Sequence, residues 1–342
     1  MSASPAHPPV HVLPVHVLYL AGSGRSGTTV INSLLGQLPG CFAAGELRYL
    51  WERGVGQDHT CGCGRPFSQC PIWTAVMKRV RDDGTPLDEA AIGRRLLRRL
   101  RILRLPVLLL RRAAGRPPVP FHADDGHIAR LYRAVADETG AAVVIDSSKL
   151  PPYGLLLSQL PGITLSVLHV VRDPRATAWS WRRVKASRDR DDAGLMHRHE
   201  TWKSSSLWTL WNLLSAFLWR ADSPQVCRVR YEDFVRAPQQ TMAAVARMIG
   251  ADPDGLPFVG PDRVQLSPTH SVAGNPNRHD TGVVQVRADV EWQSAMPARD
   301  RALVSALTLP GLAVFGYPVL PRRHTRPRPA GPASSISEKG TH

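Results

Sequence analysis

The stretch Val15–Thr29, VHVLYLAGSGRSGTT, constrains the fold of this chain more than any other. Val15, Val17, Leu18, Tyr19 and Leu20 form a short, β-rich apolar run of the kind that fills a buried strand. The run breaks into Gly22-Ser23-Gly24-Arg25-Ser26-Gly27, and from Thr28 onward Val30, Ile31, Leu34 and Leu35 fall at helical spacing. A strand, a glycine-rich turn and a helix start together make a cradle for phosphate. Glycines let backbone N–H groups converge, and the helix N-terminus adds unpaired donors and a positive dipole. Arg25 places a fixed charge inside the turn, and Ser26, Thr28 and Thr29 offer hydroxyls.

Three chemistries share this pattern. A nucleoside-triphosphate loop needs lysine after its last glycine, and Thr28 stands there, which argues against an ATPase or kinase. The spacing Gly22-x-Gly24-x-x-Gly27 also fits a dinucleotide fingerprint, with Glu46 near the place of a ribose-binding acid. Against it, Cys41-Phe42-Ala43-Ala44-Gly45 makes a poor second strand. The third chemistry is an arginine-bearing loop for a phosphosulfate, and a second motif further along decides for it.

That motif follows the mainly apolar strand expected over Ile163–Val171, and reads Arg172-Asp173-Pro174-Arg175-Ala176-Thr177-Ala178-Trp179-Ser180. Pro174 suits the first turn of a helix and Asp173 its N-cap. Ser180 then lies two turns along, so Arg172 and Ser180 can grip one anion from the helix base and flank. Another strand, Ala141–Ile145, ends in Asp146-Ser147-Ser148-Lys149, where open α/β sheets bind ligands.

These residues resemble the motifs of sulfotransferases that use 3′-phosphoadenosine 5′-phosphosulfate (PAPS), over Val15 to about Tyr317. The match is nearest to the bacterial, tyrosylprotein-sulfotransferase-like branch. The resemblance implies a P-loop-like three-layer α/β/α fold with a central parallel sheet, here with a helical insertion at about 82–120. It implies that Arg25 is catalytic, that Glu46, 21 residues later, is the base, and that Lys149 meets the leaving group. Gly24, Arg25, Ser26, Gly27, Thr28 and Thr29 would bind the 5′ phosphosulfate, Arg172 and Ser180 the 3′-phosphate, and Tyr231 would stack on adenine. Asn275 and Arg278, in His270–Arg278, match more weakly a late loop that closes over the nucleotide. Val184 stands where some relatives place an arginine, so Arg182 or Arg183 would substitute. The Arg-Lys-Gly loop of cytosolic small-molecule members is missing.

The implied reaction moves a sulfuryl group from PAPS to a hydroxyl or amine of a small-molecule, glycan, lipid or peptide acceptor. It asks for no metal, because Arg25 and Lys149 can neutralise the charge that develops. The rival readings are a nucleotide-kinase-like enzyme and a basic protein binding nucleic acid or lipid; the second leaves both phosphate motifs unexplained, and no nucleic-acid partner is expected. The formal charge of +15, from 43 Lys+Arg against 28 Asp+Glu, suits anionic partners without choosing among them.

Other features place the remaining chain. Residues 1–14 and 318–342 are rich in proline and read as a disordered leader and a disordered basic tail. No apolar run is long enough to span a bilayer, no signal peptide is evident, and five cysteines fit a reducing compartment, so a cytoplasmic location is expected. From Ile92 to Gly115, Leu96, Leu100, Leu103, Val107 and Leu110 form one stripe among many arginines, with Pro106 as a break. The segment 94–112 thus reads as a surface for an acceptor or a membrane, or as a lid packed on the domain. Cys61, Cys63 and Cys70, with His59 nearby, suggest either a metal site lacking a sure fourth ligand or a tight turn whose thiols pack as small hydrophobes. Trp208 and Trp211 share a helix face and fit either core packing or an acceptor pocket.

Overall fold

The computed structural model describes residues 13–82, 84–101, 104–184, 188 and 198–319. The expected leader and tail lie almost wholly outside these residues. The chain begins with β1 (Val15–Gly22), α1 (Thr28–Leu35), β2 (Cys41–Gly45), α2 (Pro71–Arg81), α3 (Glu89–Arg99) and α4 (Leu105–Ala113). It continues with α5 (Asp125–Thr139), β3 (Val143–Lys149), α6 (Pro151–Leu157), β4 (Ile163–Val171), α7 (Pro174–Arg182) and α8 (Thr201–Leu218). The last part holds β5 (Val226–Arg230), α9 (Tyr231–Arg236), α10 (Pro238–Met248), β6 (Arg263–Leu266) and β7 (Gly282–Gln285), then α11 (Trp292–Ala295), α12 (Ala298–Leu307) and α13 (Leu309–Phe315).

β1 is apolar on both faces because it sits mid-sheet with helices on either side. Val15, Val17, Tyr19 and Ala21 point into one core, with Trp73 of α2, Leu131 of α5, Leu156 of α6 and Leu214 of α8. Leu18 and Leu20 point into the other, with Ile31 and Leu34 of α1 and Met242 and Val245 of α10. Alternate burial on two faces is what a parallel sheet covered on both sides requires. The sheet has five strands in the order β2-β3-β1-β4-β5, all parallel, and the fold is the expected α/β/α. β6 and β7 form a separate antiparallel pair.

Cys41–Gly45, which looks poor as a strand, is one nonetheless, pairing Phe42 with Val144 and Ala43 with Ile145. Its small residues serve packing: a Cβ on Gly36, just past α1, would lie 2.4 Å from that of Ala43, so the helix end rests directly on β2. Tertiary contact overrides weak strand propensity here. The strand order also removes the dinucleotide reading. In that fold the second strand lies beside the first, whereas β1 here is flanked by β3 and β4 and β2 lies at the edge.

The basic segment is two helices. α3 ends at Arg99, and Pro106 opens the first turn of α4, where its missing N–H costs nothing. The expected single stripe is therefore only half buried. Ile92, Leu96, Leu100 and Leu108 enter the core, Val107 and Leu110 are exposed, and Leu103 lies outside the described residues. Part of the basic face is also occupied within the molecule, since Arg95 pairs with Asp124 at 2.7 Å and Arg99 with Asp125 at 2.6 Å. Among the described residues no helix is long and apolar enough to cross a membrane.

Candidate active site

The C-terminal ends of the parallel strands converge on one cavity of about 920 Å³. The turn after β1 forms its floor. Gly27 adopts φ +86°, and a Cβ there would come within 2.5 Å of the Tyr231 ring; one on Gly24 would lie 2.6 Å from Trp181. The two glycines thus let two aromatic rings close on the turn. Between them Arg25 takes the left-handed conformation at φ 67°, a cost of about 1–2 kcal/mol for a residue with a Cβ. Its guanidinium lies 4.8 Å from the centre of the Trp181 ring. Thr28 and Thr29, in the first helical turn, line the cavity. Ser26 does not: it is fully buried, and its hydroxyl bonds the Ser23 carbonyl at 2.9 Å. Its side chain shapes the turn, which leaves its backbone N–H as the group it can offer to a phosphosulfate.

β2 and β3 are parallel neighbours, so Glu46 just past one and Lys149 at the end of the other meet. Lys149 Nζ donates to Glu46 Oε1 at 2.6 Å and to the Ser147 carbonyl at 2.6 Å. Burial works to raise the Glu46 pKa, but the charge and hydrogen bond of Lys149, with Arg53 and Arg48, outweigh it and hold the carboxyl below its ordinary value. Glu46 is therefore ionised, and a weaker base while Lys149 stays on it. Behind the pair, Asp146 is wholly buried and accepts from Ser148 N at 2.7 Å and from the Tyr132 hydroxyl. Burial pushes its pKa up to about 6. These bonds hold the end of β3 in the bend that aims Lys149, whose φ is 66°.

On the far side of the turn, Asp173 caps α7 by accepting from Arg175 N at 2.8 Å, with Pro174 in the first turn, as the sequence implies. Arg172 and Ser180 are both buried and both line the cavity. Arg172 donates to the Arg25 carbonyl at 3.1 Å and lies 4.6 Å from the centre of the Tyr231 ring. Its Nε is buried with no hydrogen-bond partner among the described residues. A carboxylate that the sequence does not single out, Asp289, pairs with Arg172 at 3.1 Å and with Arg183. Burial raises the Asp289 pKa, yet the two arginines prevail and hold it low. Arg183, not Arg182, faces this site, because Arg182 pairs with Asp300.

Of the late loop, Asn275 lines the cavity and Arg278 does not. Arg278 is buried and donates to the Gly274 carbonyl at 3.2 Å and to the Thr60 carbonyl at 2.9 Å, which ties the loop down. The opposite wall comes from residues that no motif marks. Tyr49 lies between Arg48 and Arg53, each guanidinium 4.0 Å from its ring centre. Trp211 lines this cavity and also an adjoining apolar pocket of about 200 Å³ with Leu96, Leu97 and Leu100. Trp208 is almost fully buried, and its Nε1 donates to the Arg172 carbonyl at 2.9 Å, so core packing accounts for most of it. His270, not His59, joins the three cysteines: the four ligand atoms of Cys61, Cys63, Cys70 and His270 lie within 4.8 Å of one another.

The arrangement offers a buried carboxylate beside an ammonium, an arginine in a glycine turn, and a second arginine with a serine one helix away. Such a site can bind a doubly phosphorylated anion and take a proton at one end of it.

Comparison with known proteins gives a consistent result. Residues 123–254, from before α5 to past α10, match the model of the sulfotransferase family. No curated protein matches the chain. Among solved structures, the sulfotransferase domain of the Synechococcus PCC 7002 olefin synthase is 20% identical, covering 93% of this chain and 100% of that one at a TM-score of 0.50. The sulfotransferase domain from the curacin biosynthetic pathway is 16% identical, covering 90% and 99% at 0.49. A sulfotransferase from Alicyclobacillus acidocaldarius is 14% identical, covering 90% and 97% at 0.40.

Proposed function

We propose that the chain, whose residues 123–254 match the sulfotransferase family's model, transfers a sulfuryl group from PAPS to an acceptor hydroxyl or amine. The observation that carries this reading is the meeting of Arg25, Glu46, Lys149, Arg172 and Ser180 around one cavity, from four strand ends. The residues fit the nucleotide. The glycine turn and the first turn of α1 present donors for a 5′ phosphosulfate. Arg172, with a buried Nε left over and a carboxylate already drawn to it, fits a 3′-phosphate. On binding, that phosphate would displace Asp289 from Arg172, and Asp289 would keep Arg183.

PAPS supplies an activated sulfuryl group on a phosphosulfate anhydride. Glu46 accepts the proton of the acceptor as the acceptor–sulfur bond forms and the bond from sulfur to the bridging oxygen breaks. Lys149 and Arg25 meet the charge left on the departing phosphate. As Lys149 turns to that charge, Glu46 loses the partner that weakens it as a base, so the two events assist each other. The acceptor enters from the side of Tyr49 and Trp211, where the apolar pocket suits an acceptor with a hydrophobic portion.

Glu46→Gln tests this. It preserves shape but removes the base, so kcat should fall by on the order of 10² while nucleotide affinity changes little. Near-normal kcat with weakened nucleotide binding would assign Glu46 to binding and overturn its role as base.

A further inference from the structure

We propose that Cys61, Cys63, Cys70 and His270 hold a structural zinc ion. Three thiols and one imidazole gather with all four donor atoms within 4.8 Å of one another. Cys70 Sγ lies 3.2 Å and Cys61 Sγ 3.9 Å from His270 Nδ1. A tetrahedral zinc with bonds of about 2.0–2.3 Å spaces its ligand atoms roughly 3.5–3.8 Å apart, so small side-chain shifts suffice.

The backbone presents the ligands as a metal knuckle would. Thr60 and Pro66 bridge in antiparallel fashion, and the turn between them is closed by Cys61 N to the Arg65 carbonyl and Gly64 N to the Cys61 carbonyl, each 2.8 Å. Gly62 allows this turn to sit on the late loop, since a Cβ there would come within 2.7 Å of the Thr269 carbonyl. Cys70 occupies the N-cap of α2, where the helix dipole favours a thiolate. His270 is fixed independently of any metal. Its ring stacks on Phe42 at 6.4 Å between centres, and its carbonyl accepts from Trp73 Nε1 at 2.7 Å.

Three thiolates and an imidazole suit zinc, and four protein ligands leave no open position, so the site is structural. None of the four lines the catalytic cavity. Each thiol gives its proton to solvent as the ion binds. The ion would pin the late loop to a turn some 200 residues earlier in the chain, as the span from Cys70 to His270 shows. That loop reaches the catalytic site: Val272 N bonds the Ala44 carbonyl at 3.0 Å, and a Cβ on Gly274 would lie 3.7 Å from Glu46 Oε1. Zinc therefore supports the roof over Glu46 without touching it.

The test is the metal content of the full chain purified under reducing conditions without a metal-affinity tag. One zinc per chain is expected. Cys63→Ser and His270→Asn should each lose it on gel filtration with a chelator, and Cys227→Ser should retain it. Should either ligand variant fail to fold, Co²⁺ added to the chelator-stripped wild-type chain decides instead, with thiolate-to-cobalt charge-transfer bands at one equivalent expected. Hydrogen exchange over 268–278 should quicken when the metal is removed. Substoichiometric zinc together with absent cobalt bands would overturn the proposal. So would a mass two hydrogens low, which would mean a disulfide within the cluster.

Discussion

The two walls of the cavity are built on different principles. The wall proposed for the nucleotide is made by backbone: a turn whose glycines admit Trp181 and Tyr231, and a helix start placed by Asp173 and Pro174. The wall proposed for the acceptor is made by side chains on separate segments, with Arg48, Tyr49 and Arg53 past β2 and Trp211 on α8, which opens to Leu96 of α3 and Leu100 just past it in the adjoining pocket. Recognition by backbone demands particular residues at particular spacings and leaves a motif. Recognition by side chains can be met by many residues on many helices and leaves none. Lys149 and Glu46 stand where the walls meet, and substitutions on either side of that line should separate the two.

The largest effect is expected at the junction. Lys149→Met removes a donor aimed at the developing charge, and such donors are worth about 10²–10³ in kcat. The same change also frees Glu46 to become more basic. If Lys149 served only to restrain Glu46, kcat would be retained and its acid limb would move to higher pH. A deep loss of kcat across the pH range instead assigns Lys149 to the leaving group. On the acceptor wall, Trp211→Ala should raise the acceptor KM about tenfold through lost apolar contact and leave nucleotide affinity alone. An equal loss in both constants would show that the walls are not independent.

The smallest effect concerns the support behind the junction. Asp146 has its pKa raised to about 6 by burial. A carboxyl that binds its proton more tightly when folded stabilises the fold at low pH, and the advantage is lost as pH rises through about 6. Thermal melts should therefore show the wild type losing stability between about pH 4 and pH 6 relative to Asp146→Asn. Parallel pH profiles for the two proteins would mean that Asp146 stays ionised.

The contrast between the walls also sets how much was legible in the sequence. The α/β/α layering was, because β1 is apolar at both odd and even positions. The meeting of Arg25, Glu46, Lys149, Arg172 and Ser180 around one cavity was legible too, because they follow strand ends that converge at one edge. The strand at Cys41–Gly45 was not, since its small residues answer to contact with α1 rather than to propensity. The side chains of Ser26 and Arg278 bond the backbone of Ser23, Gly274 and Thr60, contacts that only the folded chain reveals. Asp289 was hidden for the same reason: its meaning lies in two arginines more than a hundred residues earlier. His270 joins its cysteines across about two hundred residues, so proximity in sequence favoured His59 instead.

The central claim is that the nucleotide wall reads a 3′-phosphate, and titration calorimetry tests it most directly. The wild-type chain is titrated with 3′-phosphoadenosine 5′-phosphate and with adenosine 5′-phosphate, and the pair is repeated with Arg172→Ala. Charge-assisted hydrogen bonds from Arg172 and Ser180 are worth about 1.5–3 kcal/mol each to a charged partner, so the doubly phosphorylated nucleotide should bind at least tenfold tighter. Most of that preference should vanish in the variant. Equal affinity for the two nucleotides in the wild type would contradict the account.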